Sequence, residues 1–408
     1  MIKKNISVVH YRYICFELTE QWIYNQVRAL DNIEIKVYAV VRNNENIFPF
    51  QNFRYLIRNS NLLNIFLNQI CKKFFNFYPY IFLFWFYKDR PDLIHAHFGT
   101  DGYSMLGCSK RLRIPLITSF YGFDAYQVPQ KAPQWQKRYR KLFEEGDIFL
   151  VEGPAMQQKL IHLGCPQHKI IIHHIGIHLK DYRFCVRRPT NEIKLLVCGR
   201  FVQKKGIPYA IEALKIIKSK NNKISICLTI VGDSDEKGSL TDEKKKILDR
   251  IKSYNLKKDV ILMGYVNHSK LLDIIYTHDI FISPSIHASN GDAEGGFPVI
   301  LTEVLATGML VVAFDHCDIK QVIRDRETGF LVPEGDVTSL ADKILYFVEH
   351  PEIWGKMGRA GRNLIENNYD LFKLNNSLIR IYETHKNKHS YMRPYGEINN
   401  TQDTLHRG

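Results

Sequence analysis

Nowhere in this chain do two cysteines form a C-x-x-C pair. The eight cysteines, at positions 15, 71, 108, 165, 185, 198, 227 and 317, stand singly and form no metal-ligand cluster. No structural zinc is implied, and a reducing compartment is the simplest reading. A long hydrophobic run is also missing. The most apolar stretch, Leu62 to Tyr87 (LLNIFLNQICKKFFNFYPYIFLFWFY), is interrupted by Lys72, Lys73 and Pro79, which leaves no span of about 18 apolar residues for a transmembrane helix. The opening MIKKNISVVHYRYICFELTE has only a short apolar run, broken by His10 and Arg12, so a cleaved signal peptide is not expected and a cytoplasmic protein is. The first strand-to-helix turn carries no glycine, which argues against a dinucleotide fingerprint there. No recognition helix or RNP-like pattern accompanies the basic residues, which sets nucleic acid aside.

What is present fills two domains. The 408 residues suffice for two α/β units, each with its own core. Charge is uneven: residues 1–185 hold 24 Lys and Arg against 14 Asp and Glu, while residues 186–408 hold 32 against 28. An excess of ten positive charges in the first half suits an anionic partner such as a lipid surface or an anionic acceptor. The aromatic stretch from Leu62 reads either as a buried helix or as an amphipathic element resting on a membrane surface.

In chain order, NISVVHY reads as a strand, TEQWIYNQVRAL as a helix with Thr19 as its N-cap, and IEIKVYAVV as a second strand. Further on, PDLIHAHFG and the segment ending SFYGFDA give two strands whose carboxyl ends bring His97, Gly99, Tyr121 and Asp124 to the edge where open α/β sheets bind ligands. The polar, basic stretch between Lys180 and Glu192 is placed as the domain linker. After it IKLLVCGRF is a strand, and Arg200 and Lys205 stand at its end and in the K-K-G turn that follows.

The stretch EGGFPVILTEVLATG, Glu294 to Gly308, organises the rest. Pro298 suits the first helical position and Gly308 the position past the end. A helix opening approached through glycines suits an anion, here a diphosphate. Glu303, five residues past Pro298, lies roughly 7 to 8 Å further along the axis, within reach of a ribose. Glu294 would meet sugar hydroxyls on the other side of the phosphate. Arg200 and Lys205 facing that opening would clamp the diphosphate as a leaving group.

The whole stretch EGGFPVILTEVLATGMLVVAF resembles the nucleotide-sugar motif of the retaining glycosyltransferases of GT-B architecture, in their large fourth family (group 1 glycosyltransferases). The family usually leaves seven residues between its two glutamates; here there are eight, the extra one being a glycine. HAHFG, F-x-G-x-D and GRFVQKKG also match it, although many members have histidine where Tyr121 stands. The resemblance implies two Rossmann-like, doubly wound parallel-sheet domains facing across a cleft. Residues 1–185 would bind the acceptor and residues 186–365 the donor, 366–385 would be a closing helix crossing back to the first domain, and 386–408 a disordered tail. It implies a sugar moved with retention from a nucleotide diphosphate, a UDP-sugar first, to a lipid-linked or oligosaccharide hydroxyl in bacterial surface polysaccharide assembly. No cofactor and no metal are expected. Arg200, Lys205 and Glu294 would be catalytic. Gly295, Gly296, Phe297, Pro298, Val299 and Glu303 would hold the donor, with the main chain at Tyr265 and Val266 on its base. His97, Gly99, Tyr121 and Asp124 would serve the acceptor side. The competing reading is a subunit of the same fold that binds a nucleotide sugar without turning it over, motivated by Tyr121 and the altered spacing.

Overall fold

The protein is described from a computed structural model covering residues 6–58, 78–190, 192–221, 225–234 and 241–386. Thirteen strands are found among these residues: β1 (Ser7–Cys15), β2 (Glu34–Arg42), β3 (Phe53–Arg58), β4 (Leu93–His97), β5 (Leu116–Ser119), β6 (Ile148–Val151), β7 (Ile170–Ile172), β8 (Glu192–Cys198), β9 (Ser225–Val231), β10 (Val260–Gly264), β11 (Ile280–Ser283), β12 (Leu310–Phe314) and β13 (Phe330–Val332). They form two parallel sheets, ordered β3-β2-β1-β4-β5-β6-β7 and β10-β9-β8-β11-β12-β13. Strand order reverses between β1 and β4 in the first sheet and between β8 and β11 in the second. Each reversal opens a crevice at the carboxyl ends of the strands.

Alternation along the strands explains the layering. Leu195, Val197, Leu310 and Val312 belong to one core cluster, whereas Leu196, Val311 and Ala313 belong to another on the opposite face. In the first sheet Val9, Ile94 and Leu116 face one cluster, and Val8, Leu93 and Ile117 the other. Both faces are apolar because helices cover both, as parallel sheets require. The expected pair of doubly wound sheets is therefore present.

Three local expectations change. β1 runs on to Cys15 instead of ending near Tyr11, because β2 pairs with it as far as Arg42. Thr19 does not cap the first helix: a 3-10 turn occupies Leu18–Glu20 and the helix starts at Gln21. The Glu20 carboxylate is drawn to Arg12, at 2.7 Å, and that ion pair fixes the turn. β3, a strand with no sequence counterpart above, extends the sheet beside β2.

Of the Leu62 to Tyr87 stretch, residues 62–77 lie outside the described part, and Tyr78–Asp89 is a helix. It buries Phe82 and Phe86 and exposes Phe84 and Tyr87. No helix among the described residues is long and apolar enough to cross a membrane. The expected disordered tail, apart from Lys386, also lies outside the described residues.

Among the described residues several contacts join the two sheets, three of them away from the cleft loop. Ile177 and Tyr182 already pack into the second core, ahead of the boundary drawn after Cys185. The last helix, Leu371–His385, places Leu378 and Tyr382 in the core beneath β1, and the Asn375 side-chain amide donates to the Gln26 carbonyl at 3.0 Å. The third join is a helix cap supplied from the other domain. Helix Pro154–His162 has Gly153 as its N-cap, which offers no side-chain oxygen. Asp318, beyond β12, supplies it, accepting the Ala155 amide at 2.8 Å and the Met156 amide at 3.4 Å.

Removing a capping oxygen costs about 1 kcal/mol. Asp318→Ala is therefore expected to lower the unfolding free energy by about that amount in urea titration, while Asp318→Asn, which keeps the acceptor, loses little.

Candidate functional site

The site is built at the switch point of the second sheet. β8 ends at Cys198, Arg200 follows half-buried, and the 3-10 turn Gln203–Lys205 brings two lysines back over the end of β11. Gly206 makes this approach possible. Its φ is +61°, and a Cβ there would sit 1.8 Å from the Pro284 carbonyl oxygen, a position open only to glycine. The two lysines then divide. Lys204 is buried, donating to Asp292 Oδ1 and to the Ala293 carbonyl, both at 3.1 Å. Lys205 stays at the cleft, with Nζ 2.9 Å from Glu294 Oε1. Lys205 and Pro298 line the same cleft, together with Ser283, Pro284, Ser285 and Ile300.

Glu294 also accepts a hydrogen bond from Ser285 Oγ at 2.9 Å. Burial alone would raise its carboxyl pKa, but Lys205 and Lys204 beside it override that and hold it at about 2. A dry carboxylate and a dry ammonium are tolerated here because they face each other. The sequence expectation had Glu294 meeting sugar hydroxyls; in the structure its carboxylate is the partner of Lys205.

The glycines of the loop also do something different from what the sequence suggested. Gly295 and Gly296 are buried against the first domain: added Cβ atoms would lie 2.3 Å from Met156 Cε and 1.9 Å from Glu152 Oε2. Gly122 of the first domain meets the Glu294 carbonyl from the other side, where a Cβ would come within 2.2 Å. Their smallness lets two backbones touch across the domains. Phe297, placed above with the donor residues, points into the core edge-on to Tyr369, with ring centroids 5.5 Å apart. Pro298 is not the first helical residue either, since the helix spans Ile300–Ala306 with Val299 as N-cap. The start is tighter than an α-turn, the Pro298 carbonyl accepting the Leu301 amide at 2.9 Å. Gly308 does sit past the end, at φ +81°, with Met309 donating to Val304 and Gly308 to Leu305 as in a Schellman stop.

Glu303 lies on that helix with its side chain mostly buried. Its Oε1 accepts from Tyr182 OH at 2.9 Å and stands 3.2 Å from His268 Nε2. The hydrogen bond to Glu303 raises the His268 pKa, against the opposing effect of burial. Tyr182 and His268 were not singled out from the sequence, since neither belongs to a motif; only folding brings them to Glu303. Tyr265 and Val266 follow β10, where Gly264 turns at φ +65° and the exposed Tyr265 ring donates its hydroxyl to the Asp233 carbonyl at 3.0 Å.

On the first sheet the four acceptor-side candidates separate into two roles. Asp124 does not line the cleft. It is fully buried and braces two loops, accepting the Gly99 amide at 2.7 Å and the Tyr121 amide at 3.0 Å. Burial raises its pKa to about 6. Gly99 is buried with it, packed against Phe120. Tyr121 is only partly buried and its hydroxyl contacts His97 Nδ1 at 2.7 Å. Behind His97 lie His10, with Nδ1 2.9 Å from His97 Nε2, and His95, held between Tyr382 and Ser119 at 2.6 and 2.7 Å. Burial lowers the pKa of all three imidazoles and keeps them neutral. Their ligand atoms are close enough together to hold a metal ion, as are those of His287, His316 and Cys317. In the first group most ring nitrogens are already hydrogen-bonded to protein.

The Lys205–Glu294 pair predicts a pH signature. Because the folded Glu294 pKa lies below its unfolded value of 4.5, its contribution to stability is present above that pH and is lost as pH falls toward about 2. Lys205→Met leaves a buried carboxylate without its partner and is expected to cost on the order of 3 kcal/mol at pH 7. The double variant Lys205→Met/Glu294→Gln should recover much of that and show a flatter acid limb, both read by chemical denaturation across pH.

Comparison with known proteins adds the family. The family described as glycosyltransferase family 4 matches residues 19–181, and the one described as glycosyl transferases group 1 matches residues 180–364. The chain is 32% identical over 257 residues to the amylovoran biosynthesis glycosyltransferase AmsK of Erwinia amylovora, covering 62% of this chain and 60% of that protein. It is 26% identical over 301 residues to an Escherichia coli K12 protein, WcaL, named for a glycosyltransferase role in colanic acid biosynthesis, covering 72% and 71%. Its fold matches the Anabaena protein HepE in complex with UDP, with a TM-score of 0.72 at 15% identity over 93% of this chain and 100% of that one. A glycosyltransferase from Rickettsia africae superposes with a TM-score of 0.74 at 18% identity over 93% and 98%. With two parallel α/β units in the GT-B arrangement and the two matched regions meeting near Lys180, the chain belongs to the family 4 and group 1 glycosyltransferases.

Proposed function

We propose that this protein transfers a sugar from a nucleotide diphosphate donor to a hydroxyl of a lipid-linked or oligosaccharide acceptor, in the assembly of a bacterial surface polysaccharide. The observation that carries the reading is the cleft shared by Lys205 and Pro298 at the β8/β11 switch point, with Glu294 at one end and Glu303 on the helix that follows Pro298. A diphosphate entering it gives Lys205 a second anion, and Arg200 at the end of β8 adds a cation on the same edge. These charges stabilise the pyrophosphate as it departs, the role a divalent ion plays in other transferases. Lys205 turning toward the phosphate frees the Glu294 carboxylate for sugar hydroxyls. Glu303 exchanges its Tyr182 and His268 partners for ribose hydroxyls, and the main chain at Tyr265 and Val266 meets the base.

Of the side chains that line the cleft, Ser285 donates its hydroxyl to Glu294 and burial pushes the Cys198 thiol pKa up to about 12, so neither is an activated nucleophile, which favours departure and attack on the same face and therefore retention. The diphosphate itself takes the acceptor proton. Tyr121 serves as a hydrogen-bond donor, since burial pushes its hydroxyl pKa up and away from general-base work. UDP is the first candidate nucleotide because HepE binds it in the same fold, and the polysaccharide context follows the AmsK likeness. The basic first half, with Phe84 and Tyr87 exposed on one helix, suits work on the inner surface of a membrane as a peripheral protein.

A thermal-shift panel of UDP-, GDP- and ADP-sugars tests the donor, followed by transfer assays to membrane extract. One nucleotide sugar is expected to raise the melting temperature and to be consumed. Lys205→Ala and Glu303→Ala should each cut turnover by about a hundredfold or more. Unchanged turnover in both variants removes the site assignment, and donor binding without transfer favours the non-catalytic reading.

A further inference from the structure

The loop that carries Glu294 is held from behind by a histidine that the donor reading does not use. His316 follows β12 and is fully buried. Its Nε2 accepts the backbone N–H of Glu294 at 3.2 Å. An amide can only donate, so Nε2 carries a lone pair and the ring proton sits on Nδ1. That Nδ1–H donates to Glu334 Oε2 at 2.8 Å. Glu334, just past β13, is fixed in turn by His287, whose amide reaches Oε1 at 2.6 Å and whose ring Nδ1 reaches Oε2 at 2.9 Å. Three carboxyl strand ends thus converge on a single backbone group of the donor loop.

We propose that His316, locked by Glu334 in its Nδ1–H tautomer, is the positioning residue that sets where the Glu294 carboxylate stands. This rests on the donor-site reading above and extends it. The loop has one more residue between its two glutamates than the related pattern, and buried glycines on its far side give it little side-chain packing to define its path. Lys204 holds the loop at the Ala293 carbonyl and the Asp318 amide holds it at Gly296; the amide of Glu294 is the point between them that fixes the residue carrying the carboxylate. If His316 took a second proton, both ring nitrogens would be donors and Nε2–H would face the Glu294 N–H. The loop would have to move. The titratable groups facing the ring are Glu334, Glu294, His287 and Cys317, the last with Sγ 3.2 Å from Nε2. Burial lowers the His316 pKa, although Glu334 and Glu294 pull the other way, so the ring stays neutral at pH 7.

Two conservative variants separate positioning from mere packing. The Gln side chain puts an oxygen near the place of Nε2 and can still accept the Glu294 N–H; Asn keeps only the group near Nδ1. His316→Gln is expected to hold the donor KM within about threefold of wild type, whereas His316→Asn and His316→Ala raise it by roughly tenfold or more, the size of one lost buried hydrogen bond. Melting temperatures without nucleotide should be similar for Gln and Asn. Imidazole ¹⁵N shifts of the ligand-free protein read the tautomer directly. Equal KM values for Gln and Asn, or a His316 proton on Nε2, overturn the inference while wild-type turnover keeps the donor reading intact. A wild type that neither binds nor consumes any nucleotide sugar brings down both.

Discussion

The ion pair between Lys205 and Glu294 is the constraint from which the rest of the site follows. It links the turn after β8 to the loop after β11 across the place where the second sheet reverses its strand order. Both charges are largely out of water, and such a pair survives only if each remains the other's partner or is handed an equivalent one. A pyrophosphate is an equivalent partner for the ammonium, and sugar hydroxyls are for the carboxylate. The resting contact therefore preorganises two groups without leaving either charge unpaired. Lys204 serves a different end, holding Asp292 and the Ala293 carbonyl so that the loop has a fixed approach.

Carboxylates crowd this region. Besides Glu294, the buried Glu152 of the first domain has its pKa raised by burial and by Asp318 and Glu294 nearby. Glu152 lies against Gly296, where the like charges of Asp318 and Glu294 disfavour its ionised form. The domain contact thus sets a lysine-paired acid whose pKa is driven down beside one whose pKa is driven up, and the difference arises from which cations reach each of them.

The fold was legible because both faces of each sheet are buried, so that strands such as those after Pro91 and Ile193 read as near-continuous apolar runs. The motif around Glu294 stands in the loop after β11, where the turn after β8 brings Lys205 to it. What the sequence concealed were contacts between residues far apart in the chain. Glycines before a helix look the same whether they leave room for a phosphate or for another backbone, and Gly295 and Gly296 turn out to meet Met156 and Glu152. F-x-G-x-D suggested a cleft aspartate, but Asp124 spends both oxygens on the amides of Gly99 and Tyr121. His316 and Glu334 carry no motif of their own, and only the adjacency of β12 and β13 unites them. The helix start shifted because Pro298 opens a tight turn before the first full helical turn, and pattern reading does not separate the two.

The cap that Asp318 lends to helix Pro154–His162 makes the two halves of the molecule share one secondary-structure element. Any separation of the two halves at this contact would withdraw that oxygen, leaving the amides of Ala155 and Met156 to find water instead. Separation of the halves and fraying of this helix end would thus be one event, and solvent deuterium entering at those two amides would report it.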